Sequence, residues 1–179
     1  MKFKEEQTET KLRGGYYTPL ELATFLAKWA IKSDTQDVLE PSCGDGVFFD
    51  ALSIANQSNL RSVTGFEIDH LEANKALLKL KKLSKNIEKI IYTRDFLYWF
   101  ILNFRAKKFD AVIGNPPFIR YQFIENETQN YAETIFKLFN LPFTKHTNIW
   151  VPFVIASIAS LKPGGRLAMV VPSELLHVP

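Results

Sequence analysis

Short apolar runs alternate with stretches of helical apolar spacing along most of this chain, and that alternation constrains its fold more than any other feature. Asp37-Val38-Leu39-Glu40, Ser62-Val63-Thr64-Gly65-Phe66, Ile90-Ile91-Tyr92-Thr93, Phe109-Asp110-Ala111-Val112-Ile113-Gly114 and residues 166–171 read as strands. Between them lie helical segments. One of these carries Leu71, Leu77, Leu78, Leu80 and Leu83 as an expected buried stripe, with a solvated face of lysines. An unbroken β-α-β-α order predicts an α/β fold: a doubly wound, mostly parallel sheet with helices on both faces. In an open sheet of this kind, ligands bind outside the carboxyl ends of the strands. Chemistry is therefore to be sought in the residues that follow each strand.

The fourth strand is followed by Asn115-Pro116-Pro117-Phe118. Two prolines stop the strand at once, since neither can donate to a ladder and each restricts its predecessor. An amide, two rigid residues and an aromatic ring are thus fixed at the mouth of the sheet. The Asn115 side-chain carbonyl and the Pro116 backbone carbonyl are two acceptors that could take both hydrogens of a planar amino group. Phe118 could stack on the ring bearing it. The plain alternative is a strand-terminating turn.

The other strand ends are acidic. The first runs into Glu40-Pro41-Ser42-Cys43-Gly44-Asp45-Gly46. Gly44 and Gly46 alone match a dinucleotide fingerprint, and the carboxylates of Glu40 and Asp45 suit a cationic or ammonium-bearing ligand better than a phosphate. The second ends in Phe66-Glu67-Ile68-Asp69, where an acid commonly holds ribose hydroxyls and where Asp69 could equally be a helix N-cap. The third ends in Arg94-Asp95-Phe96, with Asp95 placed to accept from an exocyclic amine and Phe96 to lie against a purine. Ahead of all these, Gly14-Gly15-Tyr16-Tyr17-Thr18-Pro19 opens a helix with Leu22, Phe25, Leu26 and Trp29 on one face. There Thr18 and Glu21 have capping-box spacing, and the helix N-terminus could receive a carboxylate.

Composition excludes several classes. A net charge of +3 permits a nucleic-acid partner without demanding one. One cysteine cannot form an internal disulfide and suits the cytoplasm. Three scattered histidines give no metal-ligand spacing, so no metal is expected. The most apolar segment, residues 149–161, contains Pro152 and is too short to cross a bilayer. It reads as a buried crossover helix. Residues 119–146 read as a long insertion with a helix in its middle, and Pro163-Gly164-Gly165 as a turn. Residues 1–13 are expected to form a flexible N-terminus.

Taken in order, these motifs resemble the class I S-adenosylmethionine-dependent methyltransferases. More closely, they resemble the gamma-class adenine-specific DNA methyltransferases of restriction–modification systems. Gly15-Tyr16-Tyr17-Thr18-Pro19 is similar to that family's motif X, and Glu40 through Gly46 to motif I. Phe66-Glu67-Ile68-Asp69 is similar to motif II, Arg94-Asp95-Phe96 to motif III, and Asn115-Pro116-Pro117-Phe118 to motif IV. The resemblance covers residues 14–179 and implies a Rossmann-like sheet that binds S-adenosylmethionine. It implies that Tyr17, Thr18, Glu40, Pro41, Cys43, Gly44 and Gly46 surround the methionine end of the cofactor. Glu67 would hold the ribose hydroxyls, Ile68 would pack on the adenine, and Asp95 with Phe96 would meet the amino edge. Asn115, Pro116 and Phe118 would hold an adenine flipped out of duplex DNA.

The family's sheet normally adds two strands, and most members add a target-recognition domain. This sequence stops soon after the fifth strand, at what reads as the start of a helix, Ser173-Glu174-Leu175-Leu176. The expectation is a core incomplete at its C-terminus, prone to self-association and dependent on additional polypeptide for sequence-specific methylation. The competing readings are a methyltransferase acting on RNA or a protein glutamine through the same Asn-Pro-Pro-Phe site, and an inactive cofactor-binding remnant or subunit.

Overall fold

A computed structural model describes residues 17–55 and 58–173. Six α-helices and five strands occupy these residues, besides a short 3-10 turn at Tyr121–Phe123. In chain order they are α1 (Leu20–Ala30), β1 (Asp37–Glu40), α2 (Val47–Ile54), β2 (Ser62–Glu67), α3 (His70–Leu80), β3 (Glu88–Thr93), α4 (Phe96–Asn103), β4 (Phe109–Gly114), α5 (Asn126–Leu138), α6 (Trp150–Ala159) and β5 (Leu161–Met169). The strands form one sheet in the order β3-β2-β1-β4-β5, and every pairing is parallel. The chain winds outward from β1 to β3, then returns to the other side of β1 for β4 and β5. The predicted doubly wound α/β architecture is the observed one.

Alternate residues of the central strands feed two cores. Val38, Val63, Ala111 and Ile113 pack with Ala23, Ala27, Phe48, Phe49, Ala76 and Leu80 from α1, α2 and α3. Leu39, Phe66 and Val112 pack on the opposite face with Phe96, Leu97, Phe100, Ile135 and Phe153 from α4, α5 and α6. Strands buried on both faces are largely apolar between their ends, which is why β1, β2 and β4 read as short apolar runs, with buried polar groups such as Asp37 and Glu40 at the strand ends.

Several local expectations are corrected. Helix α1 buries its alanines, Ala23, Ala27 and Ala30, while Leu22, Phe25 and Trp29 are exposed and Leu26 is half-buried. Small side chains let the helix lie close to α2 and the sheet, and the bulky stripe faces out. The same holds in α3, where Ala73, Ala76 and Leu80 are buried and Leu71 and Leu78 are exposed. The capping box at Thr18 is absent, because the helix starts at Leu20 with Pro19 as its N-cap and no side-chain cap bond. Strand β5 begins at Leu161, earlier than the Pro-Gly-Gly sequence suggests. Phe109 pairs with Leu161 and Ala111 with Arg166, so residues 162–165 bulge out of register and regular pairing starts at Arg166. The N-terminal residues 1–16 and residues 174–179, including most of the expected final helix, lie outside the described residues.

An ion network ties together the amino ends of four strands, β1, β2, β4 and β5. Asp37 accepts from Arg61 at 2.6 Å, Ser62 at 2.8 Å and Lys162 at 3.0 Å. Lys162 also donates to Asp110, which accepts the backbone N–H groups of Gln36 and Asp37. Bonds from Arg61, Ser62 and Lys162 outweigh the burial of Asp37 and hold its carboxyl down at about 2. A depressed carboxyl stabilises the fold above its unfolded pKa, and that contribution disappears as pH falls through the folded value. Asp37→Asn should therefore cost about 1–3 kcal/mol near neutrality. In urea melts the gap from the wild type should close between about pH 4 and pH 2. A gap that stays constant over that range would remove Asp37 from the network's energetics.

Candidate functional site

The crevice lies where the winding reverses, between the carboxyl ends of β1 and β4. One side of it is built from the β1 loop. Gly46 has φ 87°, and an added Cβ would sit 2.8 Å from the Ala76 backbone, so only glycine lets α2 and α3 close up here. Gly44 has φ 50° with open space where a side chain would be, which leaves room for a ligand to approach the backbone. The Gly44 N–H donates to Glu67 Oε2 at 2.9 Å, and the Asp69 N–H to Glu67 Oε1 at 2.9 Å. Those two bonds fix the Glu67 carboxylate at the end of β2 with lone pairs to spare.

Glu40 is fully buried at the end of β1, and its Oε2 has no hydrogen-bond partner among the described residues. Burial pushes its carboxyl well above the usual range, and the nearby charges of Asp45 and Glu67 push the same way. A buried acid orphaned among the described residues, in a cluster of acids, can accept a further donor or cation. Asp45 instead pairs with Lys79 at 2.9 Å. Further along, Ile68 is 71% exposed and offers a bare apolar platform. Asp69 is the N-cap of α3, accepting from Leu71 and Glu72.

Asp95 caps α4, with Oδ1 accepting from the N–H groups of Leu97 and Tyr98. Its neighbour Phe96 corrects an expectation. The ring is 1% exposed and packs against Phe66, Trp99, Phe100 and Phe153, so it cannot lie on a bound purine. The first residue of a capped helix points back into the core, and the sequence around it is aromatic enough to enclose it. Pro41 and Cys43 are also buried. Pro41 packs against Gly114, and burial pushes the Cys43 thiol well up, which leaves it inert. Cys43 acts through its backbone, donating its N–H to the Phe66 carbonyl at 2.8 Å.

On the other side of the crevice, Asn115 Nδ2 donates to Thr18 Oγ1 at 3.1 Å. This bond uses the donor end of the amide, so the acceptor end, Oδ1, points away from Thr18. Thr18 is 8% exposed, and its hydroxyl serves Asn115 in place of the helix cap expected from spacing. Ser42 donates to the Asn115 backbone carbonyl at 3.1 Å, and the Val170 N–H to the Gly114 carbonyl at 3.0 Å. The end of β4 is thus pinned from both flanks. A cavity of about 280 Å³ opens beside it, with Tyr17, Thr18, Asn115, Phe118, Val170 and Pro172 in its wall. That is close to the lower end of small-ligand sites, roughly 300 Å³. Sequence reasoning missed Ser42 as a tether, and also Thr128, whose hydroxyl donates to Asp95 Oδ2 at 3.1 Å. Both act across contacts distant in sequence, for which no local signal exists. Among the described residues there is no metal-ligand cluster and no helix long and apolar enough to cross a membrane.

The sheet is all-parallel, with an acid-lined crevice on one side of its switch point and Asn115-Pro116-Pro117-Phe118 on the other. The chain belongs to the Eco57I restriction-modification methylase family, whose model matches residues 26–178. It is 30% identical over 164 residues to the type II methyltransferase M.AccI of Acinetobacter calcoaceticus, covering 90% of this chain and 28% of that protein. With M.BanIII of Aneurinibacillus aneurinilyticus it shares 27% identity over 197 residues, covering 97% of this chain and 33% of that one. The chain therefore spans about a third or less of the length of these curated relatives. Its fold matches a type I restriction-modification methyltransferase subunit from Streptococcus thermophilus with a TM-score of 0.68 at 18% identity, over 90% of this chain and 35% of that one.

The cofactor of this family is S-adenosylmethionine, and the residues present fit it. Fixed carboxylates end adjacent strands, an apolar platform lies between them, and a buried acid lacks a donor. Glu67→Ala should weaken S-adenosylmethionine binding by roughly 1–3 kcal/mol, the scale of one hydrogen bond to a charged group. Unchanged affinity by titration calorimetry would place the ribose elsewhere.

Proposed function

We propose that this chain is the cofactor-binding and catalytic core of an adenine-specific DNA methyltransferase of the restriction–modification type. The observation that carries the reading is the locked amide of Asn115, held by Thr18 beside an apolar cavity at the switch point. The names of the matched relatives, type II methyltransferases, support it.

When bound, S-adenosylmethionine supplies an electrophilic methyl group on a sulfonium. Glu67 would accept from the ribose hydroxyls, Ile68 would lie under the adenine and Asp95 would accept from its amino group. Glu40 and Thr18 would face the methionine end, where Glu40 gives the cofactor's ammonium group a partner. The target adenine would leave the duplex stack and enter the cavity. There Asn115 Oδ1 and the Pro116 carbonyl would accept the two hydrogens of its amino group, drawing the nitrogen lone pair out of ring conjugation. Phe118, half-buried in the cavity wall, would stack on the base. With both hydrogens so held, Asn115 and Pro116 would keep the nitrogen lone pair facing the cofactor's methyl group and stabilise the positive charge that develops on the amino group until its proton passes to solvent. Positioning and electrostatic placement carry the rate, with no covalent enzyme intermediate. Recognition of a DNA sequence would fall to additional polypeptide.

In protein containing this chain, Asn115→Ala should abolish methyl transfer and leave cofactor affinity nearly intact. Loss of one positioned acceptor should cost on the order of 2.7–4 kcal/mol in the barrier, by analogy with oxyanion-hole donors. Phe118→Ala should weaken binding of DNA with an extrahelical base by roughly 1–3 kcal/mol of stacking. Nucleoside analysis of DNA and RNA after incubation with labelled cofactor tests the substrate. Label in N6-methyladenine from DNA is the expected result, and label confined to RNA or protein would overturn it.

A further inference from the structure

The segment after Asn-Pro-Pro-Phe returns across the sheet to the cofactor side. Helix α5 places Thr128 in its first turn, and the Thr128 hydroxyl donates to Asp95 Oδ2 at 3.1 Å. The two helices that carry this bond are firmly packed. Ala132 and Ile135 of α5 share a buried core with Leu97 and Phe100 of α4, and the rings of Tyr131 and Tyr98 meet at 5.3 Å. The Thr128–Asp95 distance is therefore set by a helix–helix interface and not by a loop.

An ionised carboxylate offers about four lone-pair sites. In Asp95 the Leu97 and Tyr98 N–H groups fill two on Oδ1, and Thr128 fills one on Oδ2. One remains, on Oδ2, in a direction fixed by the other three. An amino group brought to that lone pair matches it, whereas a carbonyl in the same place sets lone pair against lone pair and leaves the nearest N–H on the neighbouring ring nitrogen. Burial raises the Asp95 pKa, and the bonds from Tyr98, Thr128 and Leu97 oppose that rise. The hydroxyl thus helps keep Asp95 an acceptor only. Without it, the carboxyl is freer to protonate, to turn, and to donate to a carbonyl.

We propose that Thr128 is a positioning residue that aims Asp95 and so makes the cofactor site select an amino-bearing purine over an oxo-bearing one. The proposal rests on the reading of Asp95 as acceptor for the cofactor's adenine. It also gives the segment that follows the catalytic motif a role at the cofactor, through one hydroxyl.

The test uses two product analogues, S-adenosylhomocysteine and S-inosylhomocysteine, in which a ring carbonyl replaces the amino group. Affinities are measured by titration calorimetry for wild type, Thr128→Val, Thr128→Ser and Asp95→Ala, with thermal melts as a folding control. The wild type should prefer the adenosyl compound. Thr128→Val should weaken adenosyl binding about tenfold, because the untethered carboxylate loses its aim and with it most of its charged hydrogen bond to the amino group, and leave inosyl binding unchanged. Thr128→Ser should restore the preference. Equal weakening of both ligands by Thr128→Val, or a preference that survives it, would overturn the proposal while Asp95 keeps its role. If Asp95→Ala leaves adenosyl binding unchanged, the reading of Asp95 itself fails and Thr128 falls with it.

Discussion

The pairing of β1 with β4, Val38 opposite Ala111 and Leu39 opposite Val112, is the contact on which the rest of the site depends. Crossovers between parallel strands take one hand, so a chain that winds β1 to β3 one way and then returns must place later helices on the opposite face. Helices α2 and α3 therefore cover one side, and α4, α5 and α6 the other. Between β1 and β4 the loops diverge to opposite faces and leave a crevice. Glu40 and the glycine loop line one wall of it, and Asn115 lines the other.

That geometry explains why the two halves of the proposed reaction share atoms. Thr18, ahead of the whole sheet in sequence, bonds Asn115, and Ser42 of the β1 loop bonds the Asn115 backbone. A residue proposed to face the cofactor thus orients the residue proposed to face the acceptor. Each tether removes freedom from the amide before any ligand arrives, which is where preorganisation lowers a barrier. Thr128 provides a second link of the same kind, from the segment after Asn-Pro-Pro-Phe to Asp95 at the end of β3.

The edge at β5 has its own supports. Lys162 joins Asp37 and Asp110, and Arg166 lies over the Trp29 ring at 4.6 Å and donates to the Trp29 carbonyl. These contacts fix α1 against β5 even though the large apolar residues of α1 are turned outward. They also show that the bulge at residues 162–165 is anchored, because Lys162 is held in the ion network below the sheet.

Strand positions, sheet type and the residues at the strand ends were legible in the sequence. Buried parallel strands are largely apolar on both faces, and prolines and glycines mark their ends. Glu40, Glu67, Asp95 and Asn115 could be placed at the crevice on that basis alone. What periodicity could not decide was which apolar side chain is inside. In α1 close packing favoured alanines over Leu22, Phe25 and Trp29, and at β3 the enclosing aromatics took Phe96 into the core. Nor could spacing show that Thr18 would serve Asn115 instead of capping α1, or that Thr128 and Ser42 would reach their partners. The sequence alone determined the alternation and the chemistry at each strand end, because those depend on neighbours along the chain. Only the tertiary structure decided how these groups orient one another, because the bonds that do so join residues far apart in sequence, whose distance is set by how the helices pack on the sheet.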